Sequence, residues 1–390
     1  MIEIQYLLSL AFVLFVLKKH PASLVFVFLV NFFSGFTPML TTFVNYELVY
    51  FDSGVVLELI FAFNLSISIF HLIYLSMKRR RPRLLIFKKY KYSRVIMYFL
   101  SLAVVLVVYQ NVNQGFNVIS SGYVSGYKGA SEQTVKATSF FPFVLIFYFL
   151  LFTYFLREGK KIYVFLMICL VFSYFMYGSR SFFLYTSISI VVFLILIGKM
   201  TYTRFAILSS VALPFIIIAG AIREGDGGGE GTILFRLALE MANIPMIISN
   251  LSVLDNLEQS IIDTALSALP HAIIVPLGVS PVNSLATEFV NYYDPGWAKA
   301  GGGFGFTIIG EIYYRFGYLG LIIVPYLIVI FLHNLEDRFL KGDEFDKALI
   351  MTNYFGMLMW IRGDFIEISR LLLVVILFYY LKRLVYRREC

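Results

Sequence analysis

The chain has 390 residues, of which 59% are hydrophobic and only 14% charged. A soluble globular domain carries roughly a quarter charged residues, so this composition excludes a water-soluble fold with an ordinary polar surface. The formal net charge of +8 is not a nucleic-acid signature, because the basic residues lie in short runs between apolar blocks, where they set topology and meet anionic lipid headgroups.

The apolar blocks are about 17 to 25 residues long, the length that spans a hydrocarbon core. In chain order they predict spans near 3–17, 22–42, 54–77, 95–111, 139–156, 162–179, 181–198, 205–222, 306–333, 347–361 and 365–381. The first reads as a span and not as a cleavable signal, since Lys18 and Lys19 follow the apolar stretch instead of preceding it. Alternate connections are strongly basic: Lys18-Lys19, the run from Lys78 to Arg94, Arg157 to Lys161, Lys199 to Arg204, Arg338 to Lys347, and Lys382 to Arg388. These hold most of the 32 Lys and Arg, and the positive-inside rule therefore places the N-terminus outside and the C-terminus in the cytoplasm. The expected fold class is an all-α, polytopic membrane protein of about eleven transmembrane helices, a single integral membrane domain over 1–390.

Two connections on the opposite face are long. Residues 112–138 are rich in Gly, Ser and Asn, and 223–305 form one large extracytoplasmic loop, too long for a simple turn. Inside that loop, helices are expected over 233–250 and 257–275, with Ile261, Ala265 and Leu269 on one face and breaks at Pro245 and Pro270. Neither Cys169 nor Cys390 offers a disulfide framework or a thiolate metal site.

The chemistry-bearing residues are charged groups near the outer ends of spans. Arg180 sits in Gly178-Ser179-Arg180-Ser181, Arg223 closes the span before the large loop, Arg315 lies in the span after it, and Arg362 and Asp364 occupy a one-turn connection. These arginines belong to the face that the positive-inside rule depletes, and an always-charged guanidinium forks onto phosphate oxygens. Together they fit a pyrophosphate. The alternative is that each pairs with a local carboxylate: Arg223 with Glu224, Arg315 with Glu311, Arg362 with Asp364, Arg370 with Glu367.

His271 and Glu288, both in the large loop, are candidate bases; a hydrogen-bonded structural histidine and a solvated carboxylate are the bland alternatives. Arg236 and Glu240 stand four apart, a spacing that stabilises a helix. The run Gly225-Asp226-Gly227-Gly228-Gly229-Glu230-Gly231 lacks the Lys-Ser/Thr ending of a phosphate loop and reads as a hinge. The second run, Gly301-Gly302-Gly303-Phe304-Gly305, lets backbone approach something closely. No His/Cys/Asp/Glu cluster has metal-ligand spacing, and no metal or cofactor is expected.

The stretch Gly302-Gly303-Phe304-Gly305-Phe306-Thr307-Ile308-Ile309-Gly310-Glu311-Ile312-Tyr313-Tyr314-Arg315-Phe316-Gly317-Tyr318-Leu319-Gly320 resembles the segment after the large outer loop in bacterial O-antigen and capsule polymerases, the Wzy-type oligosaccharide repeat-unit polymerases. Gly178-Ser179-Arg180-Ser181, Arg223 after its span, and Trp360-Ile361-Arg362-Gly363 resemble features of the same family. One departure is that the arginine–glycine spacing of some members' outer loops is not met by Arg223 or Arg236.

The resemblance implies a many-span, lipid-donor (GT-C-like) glycosyltransferase of the bacterial cytoplasmic membrane. It implies undecaprenyl-pyrophosphate-linked oligosaccharide as substrate, membrane lipids as surroundings, and the flippase and chain-length regulator of the same pathway as partners, with no nucleic acid. On that reading Arg180, Arg223, Arg315 and Arg362 hold the pyrophosphate, Glu311 orients Arg315, and His271 or Glu288 accepts the proton. An O-antigen ligase, differing in its acceptor, a polysaccharide transporter or flippase, and a non-catalytic assembly scaffold are the competing readings.

Overall fold

The computed structural model describes residues 2–44, 52–77, 94–121, 141–177, 180–205, 207–208, 242–257, 259–267, 269, 275–278, 282–299 and 303–386. Outside them lie most of the expected span at 205–222, the run from Lys78 to Tyr92, most of 112–138, the hinge at 225–231, the first half of the helix expected over 233–250, and Arg223, Arg236, Glu240, Pro270 and His271. Among the described residues there are helices and no strands.

The helices are α1 Ile2–Leu17, α2 Pro21–Val44, α3 Ser53–Met77, α4 Arg94–Ser121, α5 Phe141–Arg157, α6 Lys161–Tyr177 and α7 Arg180–Leu196, then the short α8 Asn243–Ser249, α9 Ile261–Leu266, α10 Leu285–Tyr293 and α11 Pro295–Lys299, and finally α12 Ile308–Lys341, α13 Glu344–Trp360 and α14 Phe365–Tyr386. Among the described residues, three carry segments long and apolar enough to cross a membrane: Pro21–Met39, Ser53–Met77 and Ile308–Lys341. Ile4–Leu17, Phe143–Arg157, Lys161–Tyr174 and Phe182–Leu196 are apolar but shorter. Large apolar side chains stand exposed along α12, among them Leu319, Ile322, Ile323 and Leu327. A continuous exposed apolar face of this kind needs a hydrocarbon neighbour.

The chain forms two compact units. The first comprises Met1–Pro82, Glu230–Glu336 and Gly356–Leu373, the second Arg83–Gly229, Asp337–Phe355 and Val374–Cys390. In the first, α1, α2 and α3 pack closely because one glycine and two amides allow it. At Gly35 an added Cβ would lie 2.5 Å from the Tyr6 ring, so the missing side chain lets α1 seat against α2. Asn31 and Asn64, both fully buried, donate to each other's side-chain oxygens at 3.0 and 2.7 Å. With no water to compete, such reciprocal bonds hold apolar helices in one register.

The large loop folds on the same unit over its own core of Met246, Ile247, Leu251, Leu254, Leu285, Phe289 and Phe306. Pro245 occupies the first turn of α8, where its missing N–H costs no helical bond. Within the expected 257–275 segment, the α-helix among the described residues is Ile261–Leu266, capped by Ser260, whose hydroxyl accepts from the Asp263 N–H. α10 and α11 were not legible in the sequence. α10 is capped by Ser284, which accepts from the Thr287 N–H.

In the second unit the acidic residues at the α12–α13 turn gather basic residues from two other connections. Arg157 pairs with the buried Glu344 and with Glu158. Lys382 pairs with Asp343 and Asp346. Three of the basic connections read from the sequence, 157–161, 338–347 and 382–388, thus meet at one end of this unit, as alternation of basic and non-basic connections requires.

Replacing Asn64 with Leu leaves the Asn31 amide buried without its partner and is expected to cost about 1–2 kcal/mol. Thermal unfolding of the detergent-solubilised protein checks this, and the double Asn31→Leu/Asn64→Leu variant should recover part of the loss.

Candidate functional site

The segment that leaves the large loop enters α12 through a run without regular secondary structure, 303–307. Gly305 has φ +78°, and a Cβ there would lie 2.7 Å from the Arg362 carbonyl oxygen. The next N–H, of Phe306, donates to that same carbonyl at 2.9 Å. Gly305 thus serves close backbone approach, and what it approaches is the one-turn connection between α13 and α14; a Cβ at Gly303 would meet nothing within 4 Å. Beyond it, α12 is broken at Gly317 (φ 58°, ψ −152°), a conformation essentially restricted to glycine. The nine residues before the break carry Glu311, Tyr314 and Arg315 as a short helix of their own.

Glu311 is the hub. It is 1% exposed and accepts three hydrogen bonds: Oε1 accepts from Arg315 Nε at 2.8 Å, while Oε2 accepts from Trp360 Nε1 at 2.7 Å and from the Phe365 N–H at 2.8 Å. Arg315, whose side chain is 4% exposed, also donates from Nη1 to the Gln259 carbonyl at 3.1 Å and from Nη2 to Thr264 Oγ1 at 3.0 Å. Three of its five N–H donors are thereby used and two remain. Tyr314 Oη donates toward the Leu254 and Leu257 carbonyls at 3.1 and 2.9 Å. These bonds tie the loop to α12, and Glu311 ties α12 to the ends of α13 and α14.

A cleft of about 360 Å³ opens here, lined by Asp255, Gln259, Ser260, Ile261, Tyr314, Arg315 and Phe316. It offers one guanidinium, one carboxylate and several neutral hydrogen-bonding groups. The buried Oε1 of Gln259 accepts no hydrogen bond among the described residues.

Asp364 is 2% exposed. Its Oδ2 accepts from the Ala286 N–H at 3.3 Å, at the N-terminus of α10, where the helix dipole favours a negative charge. Oδ1 is buried with no hydrogen-bond partner among the described residues. Burial pushes the Asp364 carboxyl above the usual aspartate range, against the lowering pull of the α10 N-terminus, Ser284 and Arg315.

The residues singled out in the sequence are distributed as follows. Arg315 pairs with Glu311, as the local-carboxylate alternative anticipated. Arg362 does not pair with Asp364: it is exposed, with its guanidinium 5.7 Å from the centre of the Phe33 ring, and among the described residues it makes no ion pair. Glu288 stands in the first turn of α10 and accepts from Asn283 Nδ2 at 2.6 Å. Arg180 opens α7 in the second unit; its side chain, like Arg223 and His271, lies outside the described residues. Trp360, Gln259, Thr264 and Asp364 complete the centre around Arg315. Of these only Trp360 and Asp364 stand in segments that the sequence ties to the site; Gln259 and Thr264 fall in the 257–275 segment, read there as a helix alone, because loop folding that no short motif encodes brings them to Arg315.

An all-helical chain with apolar, membrane-length helices and a buried ion pair beneath a folded polar loop defines a membrane protein with a site at one end of its helices. The family described as O-antigen polysaccharide polymerase Wzy matches residues 2–388, nearly the whole chain, and the chain belongs to that family. It is accordingly a membrane protein of polysaccharide biosynthesis. No curated protein and no solved structure matches it.

Two outcomes test this geometry. Gly305→Ala forces a side chain into a left-handed conformation against a carbonyl oxygen and is expected to cost about 1–3 kcal/mol in thermal stability. Because the folded-state pKa of Asp364 is raised, the folded protein holds its proton at pH values where the unfolded chain has lost it. Its contribution to stability is therefore full below the ordinary aspartate value of about 3.9 and declines as pH rises through the raised one. Asp364→Asn, which keeps an acceptor for Ala286, should flatten that decline in melting curves recorded across pH.

Proposed function

We propose that this protein polymerises oligosaccharide repeat units carried on undecaprenyl pyrophosphate, on the outer face of the cytoplasmic membrane. The observation that carries the reading is the family match over residues 2–388, and the cleft at Arg315 is where the chemistry fits. In the transfer, a hydroxyl of the acceptor sugar attacks the anomeric carbon of the donor glycan. The bond from that carbon to the pyrophosphate oxygen breaks, and the lipid pyrophosphate leaves with the bonding electrons.

Such a step needs positive charge at the departing pyrophosphate and a base for the hydroxyl proton. Arg315, with two N–H donors left in the cleft wall, and Arg362, exposed in the chain turn that Gly305 touches, supply charge in the first unit; Arg180 and Arg223 are assigned to the same task. Glu311 fixes the Arg315 guanidinium in one orientation. His271 or Glu288 takes the proton. In this reading the N-terminus faces outward and the C-terminus the cytoplasm, and the flippase that delivers repeat units and the regulator of chain length act beside the protein.

Arg362→Ala separates chemistry from folding, because an exposed cation–π contact is worth only about 0.5–1 kcal/mol. At normal protein level the variant should accumulate single lipid-linked repeat units, with polymer falling roughly 10²-fold. Arg315→Lys should do the same. Polymer of normal length and yield from both variants would refute the assignment of these arginines.

A further inference from the structure

At the other end of the first unit, three histidines from separate elements converge. His20 lies in the connection between α1 and α2, His71 on α3, and His333 on the C-terminal part of α12. Their candidate ligand nitrogens all lie within 4.8 Å of one another. Two Zn–N bonds of about 2.0–2.1 Å bridge nitrogens up to roughly 4.2 Å apart, so reorientation of the rings closes the set. We propose that His20, His71 and His333 bind one divalent transition-metal ion, with zinc the best match to three imidazoles in a buried setting.

Two of the rings, His20 and His333, are prepared for ligation by a contact at Nδ1. His20 Nδ1 lies 3.0 Å from Glu336 Oε2, and Glu336 Oε1 accepts from the Ala22 N–H at 2.7 Å. A carboxylate fixed in this way holds the imidazole as the Nδ1–H tautomer and leaves Nε2 to face a metal, the carboxylate–histidine–metal arrangement of many zinc sites. His333 Nδ1 lies 3.3 Å from Ser23 Oγ, which likewise leaves Nε2. His71 is fully buried. Neither of its nitrogens makes a hydrogen bond of ordinary geometry, although the Val16 backbone lies near one edge of the ring. An orphaned buried donor or acceptor costs about 1–3 kcal/mol, a cost that coordination removes.

The His20 and His333 rings are stacked, with centroids 3.9 Å apart and planes 15° from parallel. Two parallel rings cannot aim their in-plane lone pairs at one ion, so binding turns one of them out of the stack. His20, with 20% of its side chain exposed, is the ring at the surface. The three ligands pin the α1–α2 connection, α3 and the end of α12 together and leave one coordination position open. On α12, His333 lies on the order of 25 Å from Arg315 by helical rise, so this ion is separate from the glycan-transfer cleft and does not depend on the polymerase reading.

The test uses full-length protein with a non-histidine purification tag, stripped with chelator in detergent and titrated with cobalt(II). One equivalent per chain should bind with visible d–d bands, and zinc should bleach them. Glu336→Gln should weaken binding by about 10–100-fold, and His20→Gln should abolish the bands while the helical circular dichroism stays unchanged. Wild-type protein that is folded but binds no cobalt, or bands that survive both His20→Gln and His333→Gln, would overturn the proposal.

Discussion

The arrangement around the cleft depends on a buried carboxylate. Glu311 sits where water does not reach, and its charge is tolerated only because Arg315, the Trp360 indole and the Phe365 N–H all point at it. Removing one partner of a buried ion pair typically costs about 3–5 kcal/mol, far more than the pair contributes net. The consequence is positional. The start of α12, the end of α13 and the start of α14 are held at one point, and Arg315 is prevented from swinging toward any other acceptor. On the proposed function, a guanidinium so fixed would already be in place for an arriving phosphate, the condition under which electrostatic catalysis avoids reorganisation during the reaction.

The glycines follow from the same constraint. For Glu311 to reach Trp360 and Phe365, the entry to α12 must run against the α13–α14 connection at backbone distance, which Gly305 permits and any side chain would obstruct. For the apolar part of α12 to continue beyond Arg315, the helix must break between the polar segment and the hydrocarbon-length segment, and Gly317 provides the break. A charge that the sequence places inside an apolar span is thereby assigned to a short helix of its own, bonded to the loop. That removes the apparent cost of an arginine in the middle of a membrane helix.

Much of the fold was legible because its signals are local. Apolar block length and the alternation of basic connections predict helices where helices stand, and the ion pairs of Arg157 and Lys382 with the α12–α13 turn join connections that the charge pattern had put on one side. The Glu311–Arg315 pair was legible too, being an i,i+4 spacing. The alternative pairing of Arg362 with Asp364 is not made, because two residues of a tight turn face opposite ways: Asp364 goes to the α10 N-terminus and Arg362 to Phe33. Helix α10 itself, with its Ser284 cap, and the Gln259 and Thr264 contacts to Arg315 arise from loop folding over a small apolar core, for which the chain carries no periodic signature. The three histidines escaped for the same reason, being far apart in sequence and joined only by the packing of α1–α3 against α12.

The central claim is that a cleft built on this fixed arginine elongates a glycan held on a lipid pyrophosphate. The direct measurement is reconstitution of the purified protein in liposomes with lipid-pyrophosphate-linked repeat units and no energy source, followed by sizing of the glycans. The account predicts a ladder of lengthened chains with release of one lipid pyrophosphate per linkage. Repeat units that stay single while crossing the bilayer, or that remain unchanged in the presence of folded protein, would contradict it.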